Sequence, residues 1–288
     1  MTMTMPKPET TGPDYFDLSA ALFALADGQP VKFPPMQTLH FPGPPPLHLH
    51  LNMWRDPIQR ELRQGRFYEE AELTALAGLI GPGAKIIDVG ANIGNHLLWF
   101  LTRMDAARVW PVEPNPLALA PLMANILANG LMDRTGVRGL GLGLNNAAAE
   151  GFSMARHDRN LGATRLREGG GEIATARGDE LFAEVAPDLI KIDVEGMEMS
   201  VLWGLEGTIA AHKPILLVEV FHDTQAEFSA WLDARGYHIT SQTKVSRLNS
   251  NFLAVPRRGA HKTALKRTLE CSKSAICTSV SKTKTSKS

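Results

Sequence analysis

Between residues 83 and 256 the sequence alternates short apolar runs with longer helical patterns, and this alternation constrains the fold more than any other feature. Glycines and prolines separate the segments. The predicted strands are Lys85–Val89, Arg108–Val112, Val137–Leu142, Asp188–Asp193, Ile215–Phe221, Tyr237–Thr240 and Asn251–Val255. The predicted helices are Ile93–Arg103, Leu117–Asn129, Met197–Ala211 and Gln225–Arg235. Several strands are almost continuously apolar, as expected when helices cover both faces of a sheet, so we predict a doubly wound, Rossmann-like α/β fold.

The segments on either side of this core differ from it in composition. Residues 1–50 are rich in proline, which fixes φ and removes backbone donors, and they predict an extended arm with one helix at about Asp14–Ala26. Residues 51–82 predict two short helices before the first strand. An insert at residues 150–181 predicts a hairpin or a lid beside the site. Residues 257–288 are rich in Lys, Ser and Thr and predict a basic, disordered tail.

Charge and cysteine content narrow the range of functions. The tail holds nine of the 30 basic residues and one of the 30 acidic ones, which leaves residues 1–256 with 21 bases, 29 acids and a net charge of −8. An acidic body argues against a nucleic-acid-binding surface. Both cysteines, Cys271 and Cys277, lie in the tail, so the body has no disulfide framework. Without an apolar signal segment or a run of about 18 apolar residues, we expect a cytoplasmic protein with no membrane span.

The first predicted strand leads into a loop of small residues that is typical of nucleotide binding. Asp88, Gly90, Asn92 and Gly94 occupy alternate positions, and a helix follows them. Gly90 permits a positive φ and the close approach of a ligand, and asparagine tolerates the same backbone region. Free N–H groups at the start of the helix would then face an anion, either a phosphate or a carboxylate.

The spacing of the glycines distinguishes between classes of nucleotide. A dinucleotide loop, G-x-G-x-x-G, needs its second glycine so that the backbone can approach a pyrophosphate. Here Asn92 and Asn95 occupy the second and third glycine positions, which disfavours NAD. Glu113 ends the second strand, where a carboxylate can accept hydrogen bonds from both hydroxyls of a ribose. A ligand with adenosine, a free ribose and no pyrophosphate fits this pattern, and S-adenosylmethionine is such a ligand.

A second motif lies about a hundred residues later. Asp193 and Glu195 stand two residues apart at the end of a buried strand that also contains Lys191. Alternate residues of a strand share a face, so all three could lie on one side of the cleft. Buried like charges beside a lysine have coupled, shifted titrations, and such groups concentrate at functional sites. A structural role for Glu195 stays open, because an acid near a helix N-terminus stabilises that helix.

These motifs together resemble the FkbM family of S-adenosylmethionine-dependent methyltransferases. The resemblance is carried by DVGANIGN, VEPNP, the triplet Asn160-Leu-Gly162, LIKIDVEGMEMSVLWG and KPILLVEV, and it assigns residues 51–256 to one domain, with helices at 51–82 and a Rossmann-like core at 83–256. It implies a class I methyltransferase fold, with a seven-stranded, mostly parallel sheet whose last strand is antiparallel and whose faces are covered by helices. It also implies O-methylation of a hydroxyl on a sugar, glycolipid or polyketide.

Positions in this fold identify the candidate site residues. The predicted cofactor set combines the loop, the ribose acid and residues near the adenine and methionyl ends: Asp88, Gly90, Ala91, Asn92, Gly94, Asn95, Glu113, Asn145, Tyr68 and Glu69. Methylation of a hydroxyl needs a base to take its proton, and four residues at the carboxyl edge are candidates: Asp193, Glu195, Glu219 and His222. One of the first two is favoured, and the histidine comes next because imidazole titrates near neutral pH.

Two other functions stay open at this point. One is an NAD-dependent oxidoreductase, which the missing glycines disfavour. The other is a non-catalytic module that binds S-adenosylmethionine, which would have no need of acids at the tip of the fourth strand. The expected partner is a small-molecule or glycan hydroxyl acceptor, and the oligomeric state is open.

No metal is predicted, although two arrangements come close to a metal site. His48 and His50 lack a third ligand at a recognisable spacing. Asp193, Glu195 and Glu219 could jointly hold Mg²⁺, which prefers oxygen ligands.

Overall fold

The computed structural model describes residues 20, 24, 26–30, 36–43, 45–155 and 160–257; the tail and most of the predicted Asp14–Ala26 helix lie outside them. The strands are β1 Gln37–Leu39, β2 Leu47–Leu49, β3 Lys85–Val89, β4 Arg108–Glu113, β5 Gly139–Leu140, β6 Leu142–Asn145, β7 Ala149–Ala155, β8 Arg165–Arg167, β9 Ile173–Arg177, β10 Leu189–Ile192, β11 Ile215–Phe221, β12 Tyr237–Lys244 and β13 Asn249–Pro256. The helices are α1 Pro57–Arg63, α2 Glu70–Ile80, α3 Asn95–Thr102, α4 Pro116–Ala128, α5 Gly178–Leu181, α6 Glu198–Gly204, α7 Glu206–His212 and α8 Gln225–Ala234, with a 3₁₀ turn at Met132–Arg134.

Seven strands form the central sheet, in the order β12-β13-β11-β10-β3-β4-β5. β13 alone runs in the direction opposite to the other six strands, so the class I methyltransferase fold predicted from the sequence is confirmed. Apolar side chains of β3 alternate between the two faces. Ile86 belongs to one buried cluster, and Ile87 and Val89 belong to the other. From β3 the chain adds β4 and β5 on one side of the sheet, and from β10 it adds β11 on the other side, so the strand order reverses between β3 and β10. Ligands of such sheets bind at the carboxyl ends of the strands beside this switch point.

Two predicted elements are interrupted in the structure. The predicted strand Val137–Leu142 is divided at Gly141, which has φ +81: β5 pairs with β4, whereas β6 joins a separate four-stranded sheet. The predicted helix Met197–Ala211 is divided at Leu205 into α6 and α7. Gly204, at the end of α6, lies so close to β6 that a Cβ would be 2.2 Å from the carbonyl oxygen of Asn145. A glycine is present at both breaks: Gly141 separates the two strands, and Gly204 directly precedes the break at Leu205.

Residues 36–43 and 45–50 include the hairpin of β1 and β2, so the prediction of an extended arm is wrong there. These strands pair antiparallel, and Leu47 and Leu49 are completely buried. They belong to the same apolar cluster as helix α3. That helix is buried along almost its whole length, and its apolar side chains share one cluster with the hairpin and with Leu73 and Leu76 of α2. The alternation Leu-His-Leu-His-Leu at residues 47–51 is a strand pattern.

The insert forms a small sheet of its own. Strand β9 runs parallel to β6 and antiparallel to β7, and β7 pairs antiparallel with β8. The predicted hairpin is therefore present, at β7 and β8. No helix in the described part of the chain is both long and apolar enough to cross a membrane.

The side chain of Asn125 in α4 forms hydrogen bonds to the end of the hairpin and to the loop that follows β3. Its Oδ1 accepts a bond from the N–H of His50 at 2.6 Å, and its Nδ2 donates to the carbonyl of Ile93 at 2.9 Å. The side chain is completely buried. It thus connects the hairpin, α4 and the loop that follows β3.

Replacing Asn125 by Ala should lower the free energy of unfolding by about 2–4 kcal/mol, because two buried backbone groups lose their partners. Urea denaturation at constant m-value measures this. Leu127→Ala in the same helix is the control, since Leu127 is 59% exposed. Equal denaturation midpoints for the two variants would contradict the role assigned to Asn125.

Candidate active site

The loop after β3 has the backbone that its sequence predicts. Gly90, Asn92 and Gly94 have φ values of +80, +51 and +97. A Cβ on Gly90 would lie 1.8 Å from the carbonyl oxygen of Asp193, so only glycine lets the ends of β3 and β10 meet. A Cβ on Gly94 would lie 2.9 Å from Leu122, which explains how α3 packs against α4.

The buried side chain of Lys191 in β10 contacts the loop that follows β3. Its Nζ donates to the carbonyl of Gly90 at 2.9 Å and lies 3.3 Å from Oδ1 of Asp88 and 3.6 Å from Oδ2 of Asp193. Burial lowers the pKa of Lys191, but the charges of Asp88 and Asp193 outweigh burial and raise the pKa above its ordinary value. The ammonium therefore stays charged. Asp88 is completely buried and lines neither of the two pockets described below.

Glu113, the last residue of β4, is hydrogen-bonded to the loop that follows β3. One carboxylate oxygen accepts the N–H of Asn92 at 2.7 Å, and the other accepts the N–H of Asn115 at 2.8 Å. Burial raises the pKa of Glu113 to about 7, although these bonds oppose the shift. Each oxygen keeps a lone pair for a further donor. Glu113 therefore stands where the sequence places a ribose acceptor.

A first pocket, the cofactor pocket, opens between these groups. Its polar wall contains Gly90, Asn92, Glu113, Asp193 and Glu195. Its apolar wall comes from the strand ends and the insert, and includes Leu144, Met154, Leu161, Leu166 and Met197. An apolar slot beside a carboxylate suits an adenine next to a ribose.

Seven of the ten predicted cofactor residues do not line this pocket. Tyr68 lines the second pocket instead, Asp88 and Glu69 line neither pocket, and the other four are Ala91, Gly94, Asn95 and Asn145. Ala91 and Gly94 are part of the loop but lie outside the lining. Asn95 bonds the backbone of Tyr68 instead, accepting from its N–H at 3.0 Å and donating to its carbonyl at 3.1 Å. Asn145 accepts the N–H of Asn146 at 2.8 Å, and its neighbours Gly143 and Leu144 line the pocket in its place.

A second pocket, the acceptor pocket, adjoins the first, and both pockets are named after the ligands that we propose for them. Tyr68, Glu219, Phe221 and Asn249 line it together with Arg165. Three residues line both pockets and form their common wall: Gly162, Asp193 and Glu195. Sequence reasoning missed Arg165 and Asn249, because the irregular insert and the β12–β13 turn carry no motif that predicts their placement.

The acids of this region lie close together. One oxygen from each of Asp193, Glu195 and Glu219 lies within 4.8 Å of the others. Glu195 has φ +56, so the extended backbone does not continue to it and the predicted alternation with Lys191 and Asp193 ends there. Burial, reinforced by the charge of Asp193, raises the pKa of Glu195 to about 7 and that of Glu219 to about 9. Burial also raises the pKa of Asp193, against the opposing charge of Lys191.

Glu69 and His222 lie outside both pockets. Glu69 has φ +60, and its carboxylate lies 3.2 Å from Nε2 of His96 and accepts a bond from Asn251 at 3.1 Å. Burial raises the pKa of Glu69, but these contacts outweigh burial and hold the pKa below its ordinary value. His222 follows the end of β11 and is exposed, with its backbone N–H bonded to Leu248. The imidazole therefore does not belong to the acid group.

Comparison with known proteins gives a family match. The family model described as the methyltransferase FkbM domain matches residues 88–239. The 31-O-demethyl-FK506 methyltransferase FkbM of Streptomyces tacrolimicus is 29% identical over 56% of this chain and 75% of its own length. The hexuronic acid methyltransferase AglP of Haloferax volcanii is 34% identical over 42% of this chain and 50% of its own length. The AMB antimetabolite synthetase AmbE of Pseudomonas aeruginosa is 29% identical over 50% of this chain, which spans only 9% of that protein.

The contact between Gly90 and Asp193 can be tested by adding one methyl group. Gly90→Ala should destabilise the protein by several kcal/mol more than Gly81→Ala, as measured by urea denaturation. Both glycines have similar positive φ values, +80 and +84, so alanine at either position carries backbone strain on the order of 1–3 kcal/mol. Only the Cβ at 90 meets another atom, since nothing lies within 4 Å of a Cβ at 81. Equal losses would show that the two strand ends are not in contact.

Proposed function

Since the chain belongs to the FkbM methyltransferase family, we propose that it is an S-adenosylmethionine-dependent O-methyltransferase for a hydroxyl of a sugar, glycolipid or polyketide-type small molecule. The observation that carries the proposal is the common wall of the two pockets. Asp193 and Glu195 face a slot suited to a nucleoside on one side and a polar pocket on the other. A group-transfer enzyme needs such an arrangement, because it must align two molecules and exclude water between them.

The residues of the cofactor pocket fit S-adenosylmethionine, which supplies a methyl group on a positively charged sulfonium. Glu113 would accept the ribose hydroxyls, and Leu144, Met154 and Leu166 would enclose the adenine. The left-handed backbone at Gly90 and Asn92 exposes the loop for close approach. Asp88 contributes indirectly, through Lys191 and the carbonyl of Gly90.

Glu195 is the base that we propose for the acceptor hydroxyl. A base works best when its pKa lies near the operating pH, and the pKa of Glu195 is about 7. Glu219, with a pKa of about 9, keeps its proton at neutral pH and can donate a hydrogen bond to the acceptor. The Asp193 carboxylate is paired with Lys191 and is left to orient the acceptor.

The other candidate functions have less support. Membership of a methyltransferase family argues against an NAD-dependent oxidoreductase, and the loop lacks the glycines that a pyrophosphate needs. A non-catalytic binding module would not need a second pocket with acids of raised pKa beside the first. The names of two relatives, a hexuronic acid methyltransferase and a 31-O-demethyl-FK506 methyltransferase, support an oxygen-rich acceptor.

The boundaries of the methyltransferase domain form part of the proposal. We place the domain at residues 51–256, extended by the hairpin of β1 and β2, because Leu47 and Leu49 pack into the same core as α3.

Replacing Glu195 by Gln should lower kcat by about 10²- to 10⁴-fold, because the base is lost while the shape is kept. In the wild type, kcat should rise with pH through about 7, since only the deprotonated carboxylate accepts a proton. Transfer of a radiolabelled methyl group into fractionated acceptor extracts provides the assay. His222→Gln is the control and should stay within about twofold of wild type, because His222 is exposed and lines neither pocket. A large loss in His222→Gln with none in Glu195→Gln would reverse the assignment.

Replacing Glu113 by Gln should weaken S-adenosylmethionine binding by about tenfold, because an amide offers one acceptor oxygen where the carboxylate offers two. Calorimetric titration measures the affinity, with NAD as the competing ligand. Glu184→Gln is the matched control, since Glu184 is exposed and outside the pocket. Tighter binding of NAD than of S-adenosylmethionine by the wild type would overturn the cofactor assignment.

A further inference from the structure

Arg165 of β8 stands at the acceptor pocket with a guanidinium that the proposed chemistry does not use. Its Cζ lies 4.9 Å from the centre of the Phe221 ring, and both residues line the pocket. Stacking on the ring joins the insert sheet to the end of β11 and holds the long side chain in place. Among the described residues that line this pocket, Arg165 is the only Lys or Arg.

The in-plane donors of this guanidinium remain available. Stacking uses the face of the group and leaves its five N–H donors pointing outward from the edge. Within the described ranges, Arg165 forms no ion pair. Burial raises the pKa of Glu195 and of Glu198, and the charge of Arg165 opposes that rise. A guanidinium held in this way binds carboxylate and phosphate groups through two parallel hydrogen bonds.

The neighbouring acids do not prevent an anion from entering. Glu219 keeps its proton at neutral pH, and Glu195 is partly protonated there. The buried ammonium of Lys191 lies 3.6 Å from the carboxylate of Asp193 and offsets part of its charge. The acceptor pocket near neutral pH therefore combines hydrogen-bond donors with one exposed cation.

We propose that Arg165 is a specificity-determining residue that selects an acceptor carrying an oxyanion, a carboxylate or a phosphate, on the same small molecule as the reactive hydroxyl. A uronic acid and a sugar phosphate are examples of this class. This inference rests on the proposed function, because it concerns the acceptor of the same site. It goes further in requiring a negative charge on the acceptor.

Binding of matched probes tests the proposal without requiring turnover. The full-length protein, saturated with S-adenosylhomocysteine, is titrated with methyl glucuronide, with glucose 6-phosphate and with the neutral twin methyl glucoside. At least one anionic probe should bind about tenfold or more tightly than the neutral twin, because hydrogen bonds to charged groups are stronger than neutral ones. The carboxylate and phosphate arms distinguish the two sources of the oxyanion.

Two variants separate a specific contact from general attraction. Arg165→Gln should remove the preference for the anion and leave S-adenosylhomocysteine binding unchanged. Arg167→Gln should keep the preference, since Arg167 lies on the same strand, is exposed and lines neither pocket. The proposal is overturned if the wild type binds neither anion better than the neutral twin, if it binds no probe, or if Arg165→Gln retains the preference.

The failure of this inference can be told apart from the failure of the proposed function. A protein that prefers an anionic probe yet transfers no methyl group from S-adenosylmethionine to any acceptor would contradict only the proposed function. A protein that methylates neutral acceptors and shows no preference for anions would contradict only the role of Arg165.

Discussion

A buried ammonium group, that of Lys191, connects the strands from which the whole site is built. Lys191 and Asp88 are register partners on adjacent strands, and the Nζ also reaches the Gly90 carbonyl and the Asp193 carboxylate. Burial of either charge alone would be costly, and breaking such a pair typically costs about 3–5 kcal/mol because one charge is left uncompensated. Only glycine at 90 allows the strand ends to come close enough for this contact. The loop, the lysine and Asp193 therefore form one unit.

This unit determines the electrostatics of both pockets. Lys191 is shared by Asp88 and Asp193, so the further acids Glu195 and Glu219 still lie beside negative charge, and burial, reinforced by the charge of Asp193, raises the pKa of each. The result is one acid that exchanges a proton near neutral pH and another that keeps its proton. Gly162 completes the common wall from the side of the insert, where the N–H of Leu161 donates to the buried Asp56 at 2.9 Å. The methyl transfer and the acceptor choice that we propose would thus depend on neighbouring parts of one structure.

Local patterns in the sequence predicted the centre of the fold well, because β3, β4 and β11 are short apolar runs ending at punctuating residues. The loop backbone followed from the chemistry of glycine and asparagine alone. The misplaced features depend on tertiary contacts: the helix break at Leu205 follows a glycine that packs against β6, and Gly143 and Leu144 line the pocket where Asn145 was predicted. His222 was predicted from its titration range, but it is exposed and lines neither pocket. Arg165 has no sequence signal, since stacking on Phe221 joins elements more than fifty residues apart.

A crystal structure with bound S-adenosylhomocysteine tests the central claim most directly. The account predicts ribose hydroxyls within hydrogen-bonding distance of the Glu113 carboxylate and the adenine between Leu144, Met154 and Leu166. It also predicts a sulfur atom that faces the wall formed by Asp193 and Glu195, with the acceptor pocket beyond. A nucleoside bound elsewhere, or a sulfur atom that points away from these acids, would contradict it.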